Sequence, residues 1–446
     1  MTHSSMPLDN SAHPTYGDVP LVPREYKVVF ALITTLFFLW AIPNNLNDVL
    51  IRQFMKSFVI TRFQAGLVQS AFYLGYFVLA MPAALVMRRL GYKSGFVIGL
   101  FLFSLGSVLF WPAAEVGRYS FFLVALFIIA SGLSFLETAS NPFIAQLGDP
   151  RTAARRLNLA QAFNPLGSIT GVLIGTIFIF SGVELKPDQV AELQARHAYQ
   201  TYLHSETLRV IAPYLVLAAV TLTMMMVIAS VRFPASLAAE EDRGPGSHRA
   251  ADLLRRQHFV MAVAAQFAYV GAQVGTWSYL IPYIQAYTGE PEKSAGLFLT
   301  GSLVLFGAGR FFSAWLMRFV QPSLLMAIYA VINTVLAAIG VLFPGWTGMI
   351  ALLLTSFFMS LMFPTIFAQG IRGLGETAKL GGSLIVMAII GGAVLTPMMG
   401  LLSIHFGGLA AAYIVPALAY VVIALYSIAD MRLVKSDPSA LRAREA

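Results

Sequence analysis

Ala65-Gly66-Leu67 is followed after 19 residues by Met87-Arg88, and the same arrangement returns later in the chain. There, Ala295-Gly296-Leu297 is followed after 19 residues by Met317-Arg318. A chain of 446 residues can produce one such match by coincidence. A second match at a corresponding place would favour two repeats.

The second match lies further along each half of the chain. Asn141-Pro142-Phe143-Ile144-Ala145-Gln146 resembles Phe363-Pro364-Thr365-Ile366-Phe367-Ala368-Gln369. Both pairs occur in the same order and run in the same direction. The sequence therefore predicts two halves related as parallel repeats.

The composition indicates that both halves lie in lipid. Hydrophobic residues make up 58% of the chain and charged residues 11%, with a mean hydropathy of +0.74. A soluble protein has roughly 45–50% apolar and about 25% charged residues, so a soluble enzyme is not expected. The net charge of +8 comes from Lys and Arg in short segments between apolar runs. These form no basic patch with interleaved aromatics, so no nucleic-acid partner is expected.

Twelve apolar runs are long enough to cross a bilayer, which takes roughly 20 helical residues. They should be helices because unpaired backbone groups in lipid are costly. The predicted fold is an all-α membrane protein with twelve transmembrane helices in two parallel six-helix repeats, the major facilitator architecture. The runs lie near 26–50, 64–87, 94–113, 121–147, 156–181, 209–231, 259–287, 295–317, 323–344, 347–371, 380–404 and 409–430.

The distribution of Lys and Arg predicts the orientation. Twenty of the 29 fall on the side of the N-terminus, eight on the other side, and Arg310 lies within a span. Both termini are therefore expected in the cytoplasm. The predicted parts are a polar cytoplasmic tail, a six-helix bundle, a cytoplasmic linker, a second six-helix bundle and a cytoplasmic tail. They span 1–25, 26–231, 232–258, 259–430 and 431–446 respectively.

The sequence lacks the motifs of ATP-driven pumps and of common hydrolases. No G-x-x-x-x-G-K-[ST] phosphate-binding loop occurs, so transport is expected to be driven by an ion gradient. No H-E-x-x-H motif, G-x-S-x-G motif or paired-carboxylate signature occurs, and the chain has no cysteine. We expect no enzymatic activity, no cofactor and no metal site.

Three ionisable residues stand within predicted spans, where such groups are rare and usually functional. Asp48 follows Asn44 and Asn45 by about one helical turn, and Glu137 lies deep in the fourth helix. Desolvation disfavours the charged form of a carboxyl group, so both acids are suited to binding and releasing a proton. Arg310 in the eighth helix keeps its charge and is expected to face a cavity.

Each of the three also has a structural interpretation. Asp48 can cap the outer end of the first helix, and Glu137 can be an acceptor that bridges packed helices. Arg310 can extend toward the inner surface, since it lies two turns before Arg318.

Amide side chains form a stripe on each of two helices. They recur at intervals of three on the fifth helix, and at seven and then four, ending in a tryptophan, on the seventh. Such residues either join membrane helices or line a site rich in donors and acceptors, which suits hydroxyl groups. The residues are Asn158, Gln161 and Asn164, then Gln266, Gln273 and Trp277.

Aromatic side chains complete the predicted site. Trp40, Trp277, Tyr279 or Phe306 can stack on the apolar face of a sugar. Together with the amides, they make a sugar the expected small-molecule partner.

Several motifs resemble those of the L-fucose:proton symporter family of the major facilitator superfamily. The likeness spans both halves and implies inward, proton-driven sugar transport across a bacterial inner membrane. The motifs are Phe37-Phe38-Leu39-Trp40, Asn44-Asn45-Leu46-Asn47-Asp48, Phe63-Gln64-Ala65-Gly66-Leu67, Leu136-Glu137-Thr138-Ala139-Ser140-Asn141-Pro142, Asn158-Leu159-Ala160-Gln161-Ala162-Phe163-Asn164 and Gly271-Ala272-Gln273.

The resemblance implies that Asp48 and Glu137 act in proton coupling and sugar recognition. It also implies cavity positions for Asn45, Gln161, Asn164, Gln273 and Arg310, to which the stacking argument adds Trp40 and Trp277. One departure is the loop from Met87 to Lys93, which lacks the Asp of the general superfamily signature.

Competing functions remain open at this point. The favoured one is a proton-coupled symporter that imports a monosaccharide, with L-fucose first. Relatives in the family carry glucose or galactose, with Na+ as a possible coupling ion in place of H+. A proton-driven drug or solute exporter would need a larger, more aromatic cavity, and a receptor would have no use for the buried acids. The partners expected are a sugar and the lipid bilayer, with the protein a monomer.

Overall fold

The structure, a computed structural model, describes residues 20–60, 62–181, 185–233 and 253–436, apart from a few side chains that include Asp48. Most of the predicted linker and of the two predicted tails lies outside these residues. Every regular element of the described residues is helical. The all-α prediction is therefore confirmed.

Eleven helices among the described residues are long and apolar enough to cross a membrane, and one of them contains two spans. This gives the twelve predicted transmembrane helices. They are α1 (Lys27–Phe58), α2 (62–90), α3 (92–108), α4 (Tyr119–Gln146), α5 (Pro150–Ile179), α6 (Ile211–Ser230), α7 (Gln257–Thr288), α8 (Glu292–Leu316), α9 (Pro322–Leu342), α10 (Trp346–Gly370), α11 (Ala378–His405) and α12 (Ile414–Ser436). The last helix continues six residues past the predicted limit at 430.

The double span is divided at Gly91, which has φ 81° and ψ 171°. This backbone conformation is open essentially to glycine alone. A side chain added at Gly75 would meet Ala130, and one added at Gly99 would meet Gly132, so α2 and α3 reach the same level of α4 although 24 residues separate the two glycines. The chain therefore reverses at Gly91 and α2 and α3 form a hairpin against α4.

Glycines let α5 approach α1 closely. A side chain at Gly167 would collide with the Phe38 carbonyl, and one at Gly171 with the Ile42 carbonyl. The order of these contacts shows that the two helices run parallel. The same approach allows Asn164 Nδ2 of α5 to donate to the Phe37 carbonyl of α1 at 3.2 Å.

The two halves, α1–α6 and α7–α12, touch at the helix ends on the side where α1 begins and α12 ends. Asn158 Nδ2 donates to Thr365 Oγ1 at 3.1 Å, and Lys379 Nζ donates to the Met87 carbonyl at 3.2 Å. The Lys379 ammonium also lies 4.6 Å from the centre of the Tyr92 ring. The end of α2 and the start of α3 thus both contact α11 through a buried lysine, although the stretch from Met87 to Lys93 lacks the signature Asp.

The start of α7 and the ends of α10 and α12 lie on this same side. His258 Nε2 lies 3.6 Å and Arg372 Nη2 3.3 Å from the two carboxylate oxygens of Asp430. Near the start of α5, Arg156 Nη1 donates to the Leu21 carbonyl at 3.2 Å. The N-terminal segment, the start of α7 and the end of α12 therefore share one face, which we call the terminal side.

The close packing of α3 on α4 should be sensitive to a single methyl group. We expect Gly132→Ala to lower the free energy of unfolding by about 1–3 kcal/mol, because the added carbon would lie 2.5 Å from the Gly99 carbonyl oxygen and 2.6 Å from the Phe103 nitrogen. The control is Gly301→Ala, where the added carbon meets nothing within 4 Å. Thermal unfolding in detergent compares them, and equal midpoints would contradict the packing described.

Candidate functional site

A cavity of about 590 Å³ lies between the halves. Helices α1, α2, α4 and α5 form one wall, and α7, α8, α10 and α11 form the other. Seven of the lining residues are Asn or Gln, and the rest are mainly aromatic or aliphatic. The seven are Asn44, Asn45, Asn47, Gln69, Gln161, Asn164 and Gln273.

Eight of the nine predicted site residues line this cavity. They are Trp40, Asn45, Glu137, Gln161, Asn164, Gln273, Trp277 and Arg310. The ninth, Asp48, belongs to α1, and its side chain lies outside the described part of the structure. Residues from five helices and both halves are thus brought together.

Two members of the amide stripes lie elsewhere. Asn158 is fully buried where the halves touch, and Gln266 is fully buried within the second half, with neither amide atom paired among the described residues. For Asn158, the helix-joining interpretation of the amide fits the structure.

Glu137 is buried in the first half and faces the cavity. The Tyr76 hydroxyl and the Asn141 side chain lie beside its carboxyl group, and the Arg310 guanidinium is near enough to attract it. Tyr76 also lies against Asn44 of α1. The carboxyl group therefore bridges α4 and α2, as the structural interpretation held, and it is also part of the cavity wall.

A hydrogen bond between two side-chain amides links this carboxyl region to α5. Gln161 Nε2 donates to Asn141 Oδ1 at 2.8 Å, and Asn141 is one turn from Glu137 on α4. Asn141 is therefore the single side chain between Glu137 and Gln161, and a change of charge at Glu137 can alter the hydrogen bond of Gln161.

Arg310 lines the cavity, and only 4% of its surface is exposed. Its Nη1 donates to the Gln161 carbonyl at 2.7 Å and its Nε to the Ser360 carbonyl at 3.0 Å. The guanidinium carbon lies 4.6 Å from the centre of the Phe306 ring. The side chain does not extend toward the surface, so the alternative interpretation of Arg310 does not describe this structure.

Proline explains why these two carbonyls need a donor. In a helix each carbonyl accepts from the N–H four residues on, and those positions hold Pro165 and Pro364, which have no N–H. The helix is interrupted at both places, at 162–163 in α5 and at 360–361 in α10. Arg310 satisfies both orphaned carbonyls and thereby joins the halves.

Aromatic residues line both walls of the cavity. The Trp277 and Phe306 ring centres lie 5.1 Å apart, and Trp277 Nε1 donates to Ser356 Oγ at 3.1 Å. The Trp40 and Phe37 ring centres are 4.3 Å apart. Tyr279, also considered for stacking, has its hydroxyl against Gly400 instead.

The sequence argument missed the contribution of α2. Gln69, Phe72, Tyr73 and Tyr76 all line the cavity. Their spacing of three, four and seven residues is that of one helical face. That signal is visible in the sequence, but aromatic residues at this spacing are common on any buried face, so it does not separate a cavity from a core.

A family model for the Major Facilitator Superfamily matches residues 28–387. The chain belongs to the major facilitator superfamily. An L-fucose-proton symporter of Escherichia coli (strain K12) is 45% identical over 408 residues, which cover 91% of this chain and 93% of that protein. A glucose/galactose transporter of Brucella abortus biovar 1 (strain 9-941) is 32% identical over 431 residues, covering 95% and 98%.

Solved structures agree with this membership. A crystal structure of the superfamily transporter FucP in the outward conformation matches with a TM-score of 0.84 at 44% identity, covering 91% of this chain and 99% of that one. The predicted resemblance to the L-fucose:proton symporter family of the superfamily is thereby confirmed.

Replacing Arg310 by Lys should expose the requirement for two donors in this superfamily member. One ammonium cannot reproduce a planar fork, so one buried carbonyl is left unpaired, and we expect the free energy of unfolding to fall by about 1–3 kcal/mol. The control is Arg318→Lys, at an exposed position two residues after the end of α8. Unfolding in detergent measures both, and equal stability of the two variants would contradict the bridging role.

Proposed function

We propose that this chain is a proton-coupled symporter that imports a monosaccharide, L-fucose first, by alternating access. The observation that carries the proposal is a buried carboxyl group, Glu137, in the wall of a cavity rich in amides. A sugar needs donors and acceptors for its hydroxyls, and a coupled proton needs an acid that the sugar site can sense. Both are found in one cavity.

The cavity wall suits a sugar better than a large apolar compound. Amides offer both donors and acceptors, and Trp277 and Phe306 offer an aromatic surface for the apolar face of a pyranose. A volume of about 590 Å³ is within the usual range for small-ligand sites. The seven amides argue against the drug-exporter alternative, for which fewer amides and more aromatics are expected.

The choice among sugars follows the relatives. The Escherichia coli protein at 45% identity is an L-fucose-proton symporter, and the Brucella abortus protein at 32% is a glucose/galactose transporter. We therefore rank L-fucose above glucose and galactose, and a proton above Na+.

We propose that the protein spans a bacterial inner membrane with both termini in the cytoplasm, following the count of Lys and Arg. The halves touch on the terminal side, while the cavity continues past Asn47 to Ile51 and Gln69 near the opposite helix ends. With this orientation the structure is the outward-facing state, ready to accept a sugar from outside. We propose that the transporter works as a monomer with Asp48 and Glu137 as its proton-coupling acids.

Glu137→Gln tests the proton role. Glutamine imitates the protonated acid, so uphill uptake of L-fucose driven by a pH gradient should be lost while counterflow exchange continues. Proteoliposomes in sodium-free buffer measure both activities and also separate H+ from Na+ coupling. The matched control is Glu192→Gln, an exposed acid in the segment between α5 and α6 whose pair with Arg196 contributes little.

Accumulation by Glu137→Gln at the parental level would exclude this assignment. No exchange of any sugar in a panel of L-fucose, D-galactose, D-glucose, mannose and lactose by the parent protein would exclude the transport proposal itself.

Asp48→Asn tests whether proton and sugar are linked at α1. A charged carboxyl in a closed cavity is costly unless a hydroxyl or a cation compensates it. We expect the variant to lose most of its affinity for L-fucose together with the dependence of that affinity on pH. Calorimetric titration at about pH 5.5 and about pH 8 compares it with the parent. An affinity that still changes with pH as in the parent would move the linkage to Glu137.

A further inference from the structure

Asn47 differs from the other amides of the cavity wall. It is 1% exposed, and neither its Nδ2 nor its Oδ1 has a hydrogen-bond partner among the described residues. In contrast, Asn45 donates to the Ala41 carbonyl, Asn164 to the Phe37 carbonyl and Gln161 to Asn141. Among the described residues that line the cavity, Asn47 alone has an amide that is wholly buried and wholly unpaired.

An unpaired buried amide is unfavourable because its water has been removed and nothing replaces it. Folding has already removed that water from Asn47. A ligand group that bonds this amide therefore gains the bond without first stripping water from the protein side. An apolar group makes no such bond, whereas a hydroxyl both donates and accepts and so complements the amide. Two neighbouring hydroxyls can use its NH₂ and its carbonyl together.

The place of Asn47 on α1 fits one edge of a sugar ring. Phe37, Trp40, Asn44, Asn47 and Ile51 all line the cavity, at the spacing of a single helical face. Asn47 stands three residues beyond Asn44, which is about 4.5 Å further from the terminal side. A ring that contacts the level of Asn44 can therefore turn its opposite edge toward Asn47.

The level of Asn44 is also that of the proposed proton site. Asn44 lies against Tyr76, whose hydroxyl lies beside Glu137. A sugar that lies between these groups and Asn47 would have one edge near the acid and the other near the unpaired amide. Asn47 already borders the cavity in which such a sugar would lie.

We propose that Asn47 binds a pair of hydroxyls on the edge of the sugar ring that faces away from Glu137, and thereby selects the hydroxyl pattern that the transporter accepts. This inference rests on the proposed function, because it adds a specificity contact to the same site. It assigns to Asn47 a role in affinity and selectivity, while the proton remains at the acids.

Asn47→Leu tests the proposal with two readouts of opposite direction. Leucine has a similar shape and removes the unpaired amide, so the sugar-free variant should unfold at the same temperature as the parent or higher. Its affinity for L-fucose should fall about tenfold. Thermal unfolding and calorimetric titration of the purified full chain in detergent measure the two effects.

Analogues of L-fucose that each lack one hydroxyl identify the contact. In the parent, removal of the hydroxyls that Asn47 binds should weaken binding, and in Asn47→Leu the same removal should weaken it no further. The control is Ser107→Ala on α3, which removes a hydroxyl that is also buried and unpaired among the described residues but does not line the cavity. This variant should keep the affinity and selectivity of the parent.

The outcomes separate this inference from the proposed function. A parent protein that binds none of the sugars refutes the proposed function. A parent that binds L-fucose, with an Asn47→Leu variant of equal affinity and equal selectivity among the analogues, refutes the role of Asn47 alone. A folded Leu variant that melts below the parent indicates a purely structural amide and also refutes it. If Leu prevents folding, Asn47→Ala replaces it, with the loss of affinity and of selectivity as the deciding results.

Discussion

Hydrocarbon offers no hydrogen-bond partner to a backbone carbonyl, and this protein interrupts two central helices within the membrane. Pro165 and Pro364 each remove the N–H that would pair with a carbonyl one turn earlier. Arg310 supplies both missing donors, to Gln161 in one half and to Ser360 in the other. Because the guanidinium bonds a carbonyl of each half, it satisfies the backbone at both helix breaks and joins the two halves beside the cavity.

The bond from Arg310 to the Gln161 carbonyl bears directly on alternating access, in which the halves must separate on the terminal side. Arg310 is bonded to Ser360 within its own half and to Gln161 across the interface, so separation of the halves on the terminal side would require it to release the Gln161 carbonyl. The carbonyl would then need water or another donor. Glu137 attracts the same guanidinium and is connected to Gln161 through Asn141. The proposed proton site and the bond between the halves therefore lie in one network, and a proton bound at one point can alter the strength of the other.

A second contact holds the terminal side closed. Lys379 of α11 reaches the Met87 carbonyl at the end of α2 and the Tyr92 ring at the start of α3. The stretch from Met87 to Lys93 lacks the signature Asp of the superfamily, yet it still contacts α11. Opening of the terminal side must break this contact as well as the bond from Arg310 to Gln161.

The sequence alone determined the twelve helices, the two parallel halves and eight of the residues that line the cavity. Span length is fixed by bilayer thickness, and polar residues are so costly in lipid that Glu137, Arg310 and the amides of α5 mark an interior face by themselves. The sequence could not determine which helix faces pack against each other and which face the cavity. The stripe on α7 is equally regular at Gln266 and at Gln273, but only Gln273 reaches the cavity. Helical spacing gives direction around one axis, and only the packing of separate helices decides whether that direction leads to a cavity, a core or the other half. For the same reason, the sequence did not predict that Tyr76 and Asn47 line the cavity, or that Arg310 bonds a carbonyl 149 residues away in the chain.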